Sequence, residues 1–283
     1  MDGTDEDDGE FGDLFAVDEE DWADGVNVSR ADGLVEKSLS EAKEAASTEL
    51  SQQMRTLRVS DYGEEGFWHG RWGADVAGDA AYEWFTVGAA VLAAALRGVT
   101  QELGLAKPLA PGQPPRVIEL GCGLSRISLD LVLSEGWHGV VATDIVPRCV
   151  EVGREFAARA GVGPPQLDYA VQDSAATSYA TGAFQLVLDK GMADCFALRS
   201  EDYAEDTGER KALIAYLGEV RRLLKPGGYF AVVTAWTLDR RRAWLQEGAM
   251  GAAMELVSTT VVHRDGPAAE HLLLMKRRNE RSS

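Results

Sequence analysis

The chain has 283 residues, 45% hydrophobic and 26% charged, a composition that suits one ordinary domain with an appendage and excludes a fibrous or disulfide-built scaffold. The net charge is −18; twelve acidic residues fall in the first 24 positions with no basic residue among them, and the rest of the chain still carries −6. An acidic body argues against a phosphate-backbone partner and permits a basic protein one, while Cys122, Cys149 and Cys195, lacking metal or redox spacing, suit a reducing cytosolic or nuclear setting.

Residues 1–35 combine the acidic block with glycines and a few isolated aromatics, a composition that cannot bury enough apolar surface to offset the entropy of ordering. Within it Phe11, Leu14 and Phe15 read either as solvated tail or as a short docking motif. From 36 to 60, Leu39, Ala42, Ala46, Leu50, Met54 and Leu57 recur at helical spacing among polar neighbours and predict an amphipathic helix. A domain is expected over 61–278, with a short tail at 279–283. Its first stretch is crowded with aromatics: Phe67-Trp68-His69-Gly70-Arg71-Trp72, then Tyr82-Glu83-Trp84-Phe85. That density in a polar, glycine-rich segment does not fit a helix face. The rings either cover one end of a sheet as plain packing or wall a ligand pocket. Residues 86–105 predict one apolar helix, whose run Val87 to Leu96 falls far short of the ~20 residues of a membrane span. The acidic start has no apolar leader-like run, so neither secretion nor membrane insertion is expected. Lys107 to Pro115, rich in proline, reads as a linker.

The most informative stretch runs from Arg116 to Asp144. Val117, Ile118 and Leu120 form a short apolar run ending in Gly121-Cys122-Gly123, and an apolar helical period follows through Ile127, Leu129, Leu131, Val132 and Leu133. Two glycines at such a turn let the backbone pass close under a ligand, and the following helix directs free N–H groups toward it. The next strand, Val140 to Thr143, ends on Asp144, where a carboxylate at the edge of a parallel sheet can accept the hydroxyls of a ribose. A dinucleotide fingerprint needs a third glycine, but Arg126 stands there, which disfavours NAD.

Pro147 opens a helix to about Ala160, and Leu167 to Val171 is a third strand with Asp173-Ser174 at its carboxyl end. Asp173 can accept the amine of an adenine or cap a turn. Phe184 to Leu188 is a fourth strand that runs into Asp189-Lys190-Gly191-Met192-Ala193-Asp194, where doubly wound sheets place their chemistry. Residues 196–210 are acidic and loop-like. A helix is expected over 211–224, a stop at Lys225-Pro226-Gly227-Gly228, a fifth strand at 229–235 and a helix at 240–248. Strands at 254–263 and 271–276 around Arg264-Asp265-Gly266-Pro267 predict a closing antiparallel hairpin.

The run Glu119-Leu120-Gly121-Cys122-Gly123, with Ser125 two positions on and Asp144 after the next strand, resembles the glycine loop of class I S-adenosylmethionine-dependent methyltransferases. That resemblance implies an α/β fold with a seven-stranded Rossmann-like sheet, helices on both faces and a C-terminal antiparallel hairpin. Together with Phe67 to Trp72, Tyr82 to Phe85 and Leu188-Asp189-Lys190-Gly191, the order of segments over 61–235 is similar to the methyltransferase-like family of eukaryotic lysine methyltransferases acting on translation elongation factor 1-alpha. The chain departs from it at Trp72, Glu119, Met192 and Cys195. The resemblance implies S-adenosyl-L-methionine as cofactor, lined by Trp68, Trp72 and Trp84, with Gly121 and Gly123 under it, Asp144 and Ile145 at the ribose, Asp173 and Ser174 at the adenine and Lys190 in the floor. It implies a protein as substrate, which the acidic surface suits to a basic one; no nucleic acid or membrane partner and a cytoplasmic site of action are expected. For a lysine acceptor, Glu83, Asp189 and Asp194 are the carboxylates that could orient the ammonium and help remove its proton, with Lys190 beside them; the alternative for each is a structural ion pair with Lys190 or Arg71. No metal site is expected. Small-molecule methyl transfer and a non-catalytic cofactor-binding module remain the alternatives.

Overall fold

The apolar runs at 117–120, 140–144 and 184–190 become central strands buried on both sides, which is why they read as nearly continuous hydrophobic stretches. The structure, a computed structural model, describes residues 65–72, 81–110, 112–196, 208–235, 238–246, 248–263 and 269–279. The acidic stretch at 1–35, the amphipathic helix expected at 36–60, most of the acidic loop and the hairpin turn lie outside these residues.

Among the described residues β1 (Val117–Leu120), β2 (Val140–Asp144), β3 (Leu167–Val171), β4 (Phe184–Lys190), β5 (Leu224–Thr234), β6 (Met254–His263) and β7 (Glu270–Arg277) form one sheet. Its order is β3-β2-β1-β4-β5-β7-β6. β1 to β5 run parallel, while β7 pairs antiparallel with both β5 and β6. This is the expected seven-stranded layout with its closing hairpin.

Alternation of side chains sends each central strand into two cores. Val117, Val140, Ala142, Leu186 and Leu188 meet one, to which α2 (Ala89–Ala95), α3 (Arg97–Leu103), α4 (Ile127–Glu135) and α5 (Pro147–Arg159) contribute residues such as Leu92, Val99, Leu129 and Phe156. Ile118, Leu120, Val141 and Val187 meet the other, with Tyr216 and Val220 of α7 (Gly208–Leu223), Trp244 of α8 (Leu238–Gln246) and Met250 of α9 (Gly248–Ala253). α5 begins with Pro147, whose fixed φ and missing N–H suit a first helical position. It approaches β3 closely at Gly153, where an added Cβ would lie 2.3 Å from the ring of buried Tyr169.

The linker is tied down by one side chain. The Arg116 guanidinium donates to the carbonyls of Gly104 (2.8 Å), Leu105 (3.2 Å), Lys107 (2.6 Å) and His138 (2.9 Å), so the chain reaches β1 at a fixed point.

Three expectations change. The aromatic segment is helical: α1 (Glu65–Trp72) forms despite Gly66 and Gly70, buries Trp72 and packs Trp68 against the core. The helix expected over 86–105 is two, α2 and α3, joined at Leu96 (φ −97°, ψ 10°), which is fully buried. The break falls just before Gly98, a poor helix former. β5 starts at Leu224 rather than Tyr229, and the Lys225 to Gly228 segment is absorbed as a register shift against β4. The hairpin strands pair as anticipated.

Candidate functional site

β1 and β4 are neighbours at the centre of the sheet, and the strand order departs in opposite directions from them, which opens a crevice at their carboxyl ends. The β1 turn enters it with both glycines at positive φ, Gly121 at +69° and Gly123 at +53°. Side-chain-bearing residues rarely adopt that region, so the glycines are required by the turn itself. Open space lies above Gly123, whereas an added Cβ at Gly121 would lie 2.5 Å from Met192 Sδ. Met192 therefore lies directly over the first glycine.

Asp144 fastens this loop. Its Oδ2 accepts from Gly123 N (2.8 Å) and its Oδ1 from Val146 N (2.9 Å), while Cys122 N donates to the Thr143 carbonyl (2.8 Å). Burial raises the Asp144 pKa, and the amides of Val146 and Gly123 oppose that rise. Each carboxylate oxygen has a further lone pair for a ligand hydroxyl. Ile145 follows, half-buried. Asp173 is exposed and its Oδ1 accepts from Ala175 N (2.8 Å), the arrangement of a turn cap, with Ser174 buried beside it.

A strap at 82–87 crosses the ends of the strands. Tyr82 N donates to the Leu124 carbonyl at 3.2 Å. The Glu83 carboxylate accepts from Ser125 Oγ (2.8 and 3.1 Å) and Arg126 N (2.8 Å), and Lys190 Nζ lies 2.8 Å from its Oε2. Trp84 and Phe85 rest on Gly191, where an added Cβ would lie 3.4 Å and 3.0 Å from their rings. At the far end Thr86 N (2.6 Å) and Val87 N (2.9 Å) donate to the buried Glu270 carboxylate. Above the strap stand the rings of α1: Trp68 lies 5.7 Å from Trp84, and Trp72 lies 5.4 Å from Tyr82. Arg71 lies over Trp72 at 4.6 Å and over Tyr82 at 5.4 Å.

The carboxylates after β4 separate by face. Asp189 and Lys190 are consecutive in a strand and point to opposite sides of the sheet. Lys190 joins Glu83, whereas Asp189 accepts from Met192 N (2.7 Å), Ala193 N (2.9 Å) and Tyr216 OH (2.6 Å), capping α6 (Met192–Cys195) from the α7 side. Burial pushes its pKa up to about 7. Asp194 pairs with Arg241 (2.6 Å) and accepts from Thr234 Oγ1 (2.9 Å), all three buried. The structure thus brings Glu83 and Lys190 together beside the glycine loop and turns Asp189 and Asp194 to structural partners.

Two members were named in the glycine-loop motif but given no role from the sequence. Ser125 is a direct partner of Glu83, and the buried Glu119 accepts from Ser128 Oγ at 2.5 Å. Burial pushes Glu119 up to about 7, with the Lys190 cation opposing. Its signal was available: a lone carboxylate in a four-residue strand that is otherwise apolar. Among the described residues no group of three or more His, Cys, Asp or Glu could hold a metal ion, and no helix is long and apolar enough to cross a membrane.

Residues 114–269 match the family model described as a methyltransferase domain. The chain is 30% identical over 175 residues to EEF1A lysine methyltransferase 4 of Mus musculus, covering 62% of each. It is 28% identical over 120 residues to the eEF1A lysine and N-terminal methyltransferase homolog of Drosophila melanogaster, covering 42% of this chain. The chain spans 62% of the length of the mouse relative and 16% of that of the fly relative. Among solved structures it is similar to the Burkholderia thailandensis 1,6-didemethyltoxoflavin-N1-methyltransferase at 18% identity, with 90% of this chain and 94% of that one covered and a TM-score of 0.48.

Proposed function

Because the chain belongs to the methyltransferase-domain family, we propose that it transfers the methyl group of S-adenosyl-L-methionine to a lysine of a basic protein, with translation elongation factor 1-alpha the first substrate to try. The observation that carries the reading is Glu83: a carboxylate on the strap, bonded to the glycine loop through Ser125 and to Lys190 from β4, at the crevice where the sheet order reverses.

The residues fit the cofactor. Two glycines at positive φ leave the loop free of side chains, the space over Gly123 is open, and Asp144 keeps acceptor capacity at the end of β2. Gly121 and Gly123 would lie under it, with Asp144 and Ile145 at its ribose and Ser174 near its base. Trp68 and Trp84 would supply apolar area and attraction for a cation. When bound, the cofactor supplies an activated methyl group on a positively charged sulfur. Alignment of the acceptor can carry most of the rate of such a displacement. The chain has two tasks in addition. Glu83 would orient the incoming ammonium and, through a water, accept the proton that a lysine must lose before it can attack. Lys190 and Ser125 hold Glu83 in place for that step. The acidic body favours approach of a basic protein over a nucleic acid, and a cytoplasmic site of action goes with a translation factor as substrate.

Labelled cofactor incubated with the protein and a eukaryotic lysate should label a protein band, and acid hydrolysis of that band should release methyl-lysine. Label confined to RNA or to small molecules would overturn the lysine assignment. Calorimetry that finds no heat with S-adenosylhomocysteine would overturn cofactor use altogether. Imaging of a fluorescent fusion tests the location.

A further inference from the structure

A cleft lies at the opposite end of the sheet. β7 runs antiparallel to β5, with Lys276 opposite Tyr229 and His271 opposite Thr234, so the end of β7 meets the beginning of β5. The five residue steps from Tyr229 to Thr234 alone separate this end from the crevice by ~17 Å. Here a cleft of about 530 Å³ is lined by Arg221 at the end of α7, Arg277 and Arg278 at the end of β7, Asn279, and the small residues 251–253 of α9.

Three arginines line this cleft, and no Asp or Glu is among its described lining residues. Like charges gathered in one concavity repel unless an anion joins them, and the repulsion grows as water is excluded. Arg277 is held at the wall, because its Nη1 donates to the carbonyls of Arg221 (3.1 Å) and Leu224, closing the end of α7. That bond holds one fork at the wall. Arg221 and Arg278 are exposed and stand at either side. Planar guanidinium forks match phosphate oxygens in pairs, which a lysine cluster would not do. The absence of bulky side chains along 251–253 leaves space of the size that holds a small organic ligand, more than one phosphate fills. The location also counts: on a chain of net charge −18 the background field repels anions, so one held here must be held by these arginines.

We propose that this cleft binds an oligophosphate group, separately from the crevice at the glycine loop. The inference stands on the cleft alone and survives or fails independently of the methyl-transfer reading.

The test is calorimetry on the full chain in metal-free buffer, with sodium tripolyphosphate and with ATP as probes. Saturable binding with Kd below ~1 mM is expected, weakening as salt is added. The double variant Arg221→Glu with Arg278→Glu should lose ~10-fold or more in affinity while its melting temperature holds. An equal charge change at the exposed Arg97 and Lys107, which lie outside the cleft, should alter affinity less than ~2-fold. Equal affinities for the two probes would support the phosphate chain alone as the ligand, and tighter ATP binding would support a nucleotide whose remainder packs on 251–253. Absence of saturable heat, an equal loss in the control pair, or binding abolished by S-adenosylhomocysteine would each overturn the proposal; the last would put the anion at the glycine loop.

Discussion

At Asp144 one carboxylate does two jobs, closing the turn after β2 through Val146 and holding the glycine loop through Gly123. Asp144→Ala removes a charged acceptor from two backbone amides, which is worth ~1.5–3 kcal/mol per bond. S-adenosylhomocysteine should therefore bind roughly 10- to 100-fold more weakly by calorimetry, and Asp144→Asn should fall between the two. Glu83 makes the contrasting case. Its partners are Ser125, Arg126 and Lys190 rather than the loop glycines, so Glu83→Gln should leave cofactor affinity within ~3-fold and lower the single-turnover methylation rate by ~10²- to 10⁴-fold, the range for loss of a positioned proton acceptor. A cofactor affinity that collapses with the rate would make Glu83 a structural clasp. Both residues were visible in the sequence as candidates, because each sits beside a local landmark, a strand end or an aromatic run. Which carboxylate Lys190 would pair with was left open among Glu83, Asp189 and Asp194: it pairs with Glu83 and not with its own neighbour Asp189, since successive side chains of β4 face opposite sides of the sheet.

Among the elements, α5 and the strap show how closely secondary structure controls the site. In an isolated helix Gly153→Ala would be favourable by ~1 kcal/mol. In this fold the new methyl would meet the Tyr169 ring at 2.3 Å, and that ring, carried by β3, is buried between the sheet and α5. The clash should win, lowering stability by ~1–3 kcal/mol in a urea melt, while Gly163→Ala, which meets nothing, should be close to neutral. The strap depends on its far anchor. Glu270→Ala leaves the amides of Thr86 and Val87 without their acceptor, at ~1–3 kcal/mol if they stay buried. Amide hydrogen exchange at residues 86 and 87 should accelerate by ~10-fold or more, with Trp84 loosened over Gly191. Helix boundaries were the least legible feature at this scale. Glycines and crowded rings argued against a helix at 65–72, yet burial of Trp72 and packing of Trp68 made one.

For the molecule as a whole, buried carboxylates set a pH dependence. Burial raises Glu119 and Asp189 to about 7, well above an unfolded carboxylate near ~4. Between those values the folded state holds more protons than the unfolded one, so stability from these groups is complete below about pH 4 and is lost as pH rises toward and through 7. The urea midpoint should therefore fall from pH 5 to pH 8 along a slope that Glu119→Gln flattens, since glutamine keeps the Ser128 bond and does not titrate. A slope identical in the variant would mean that Glu119 is already ionised in the fold.

Local patterns determined the strands, the glycine turn, Asp144 at the end of β2 and the closing hairpin, because strand periodicity, turn stereochemistry and the reversal of an antiparallel pair depend on neighbouring residues alone. Only the tertiary structure decided that Glu83 meets Lys190, that Asp189 and Asp194 face structural partners, that Met192 covers Gly121, and that three arginines close one cleft at the other end of the sheet. Those contacts join positions far apart in the chain, and the sheet's register and the faces it presents, rather than any run of residues, bring them within reach.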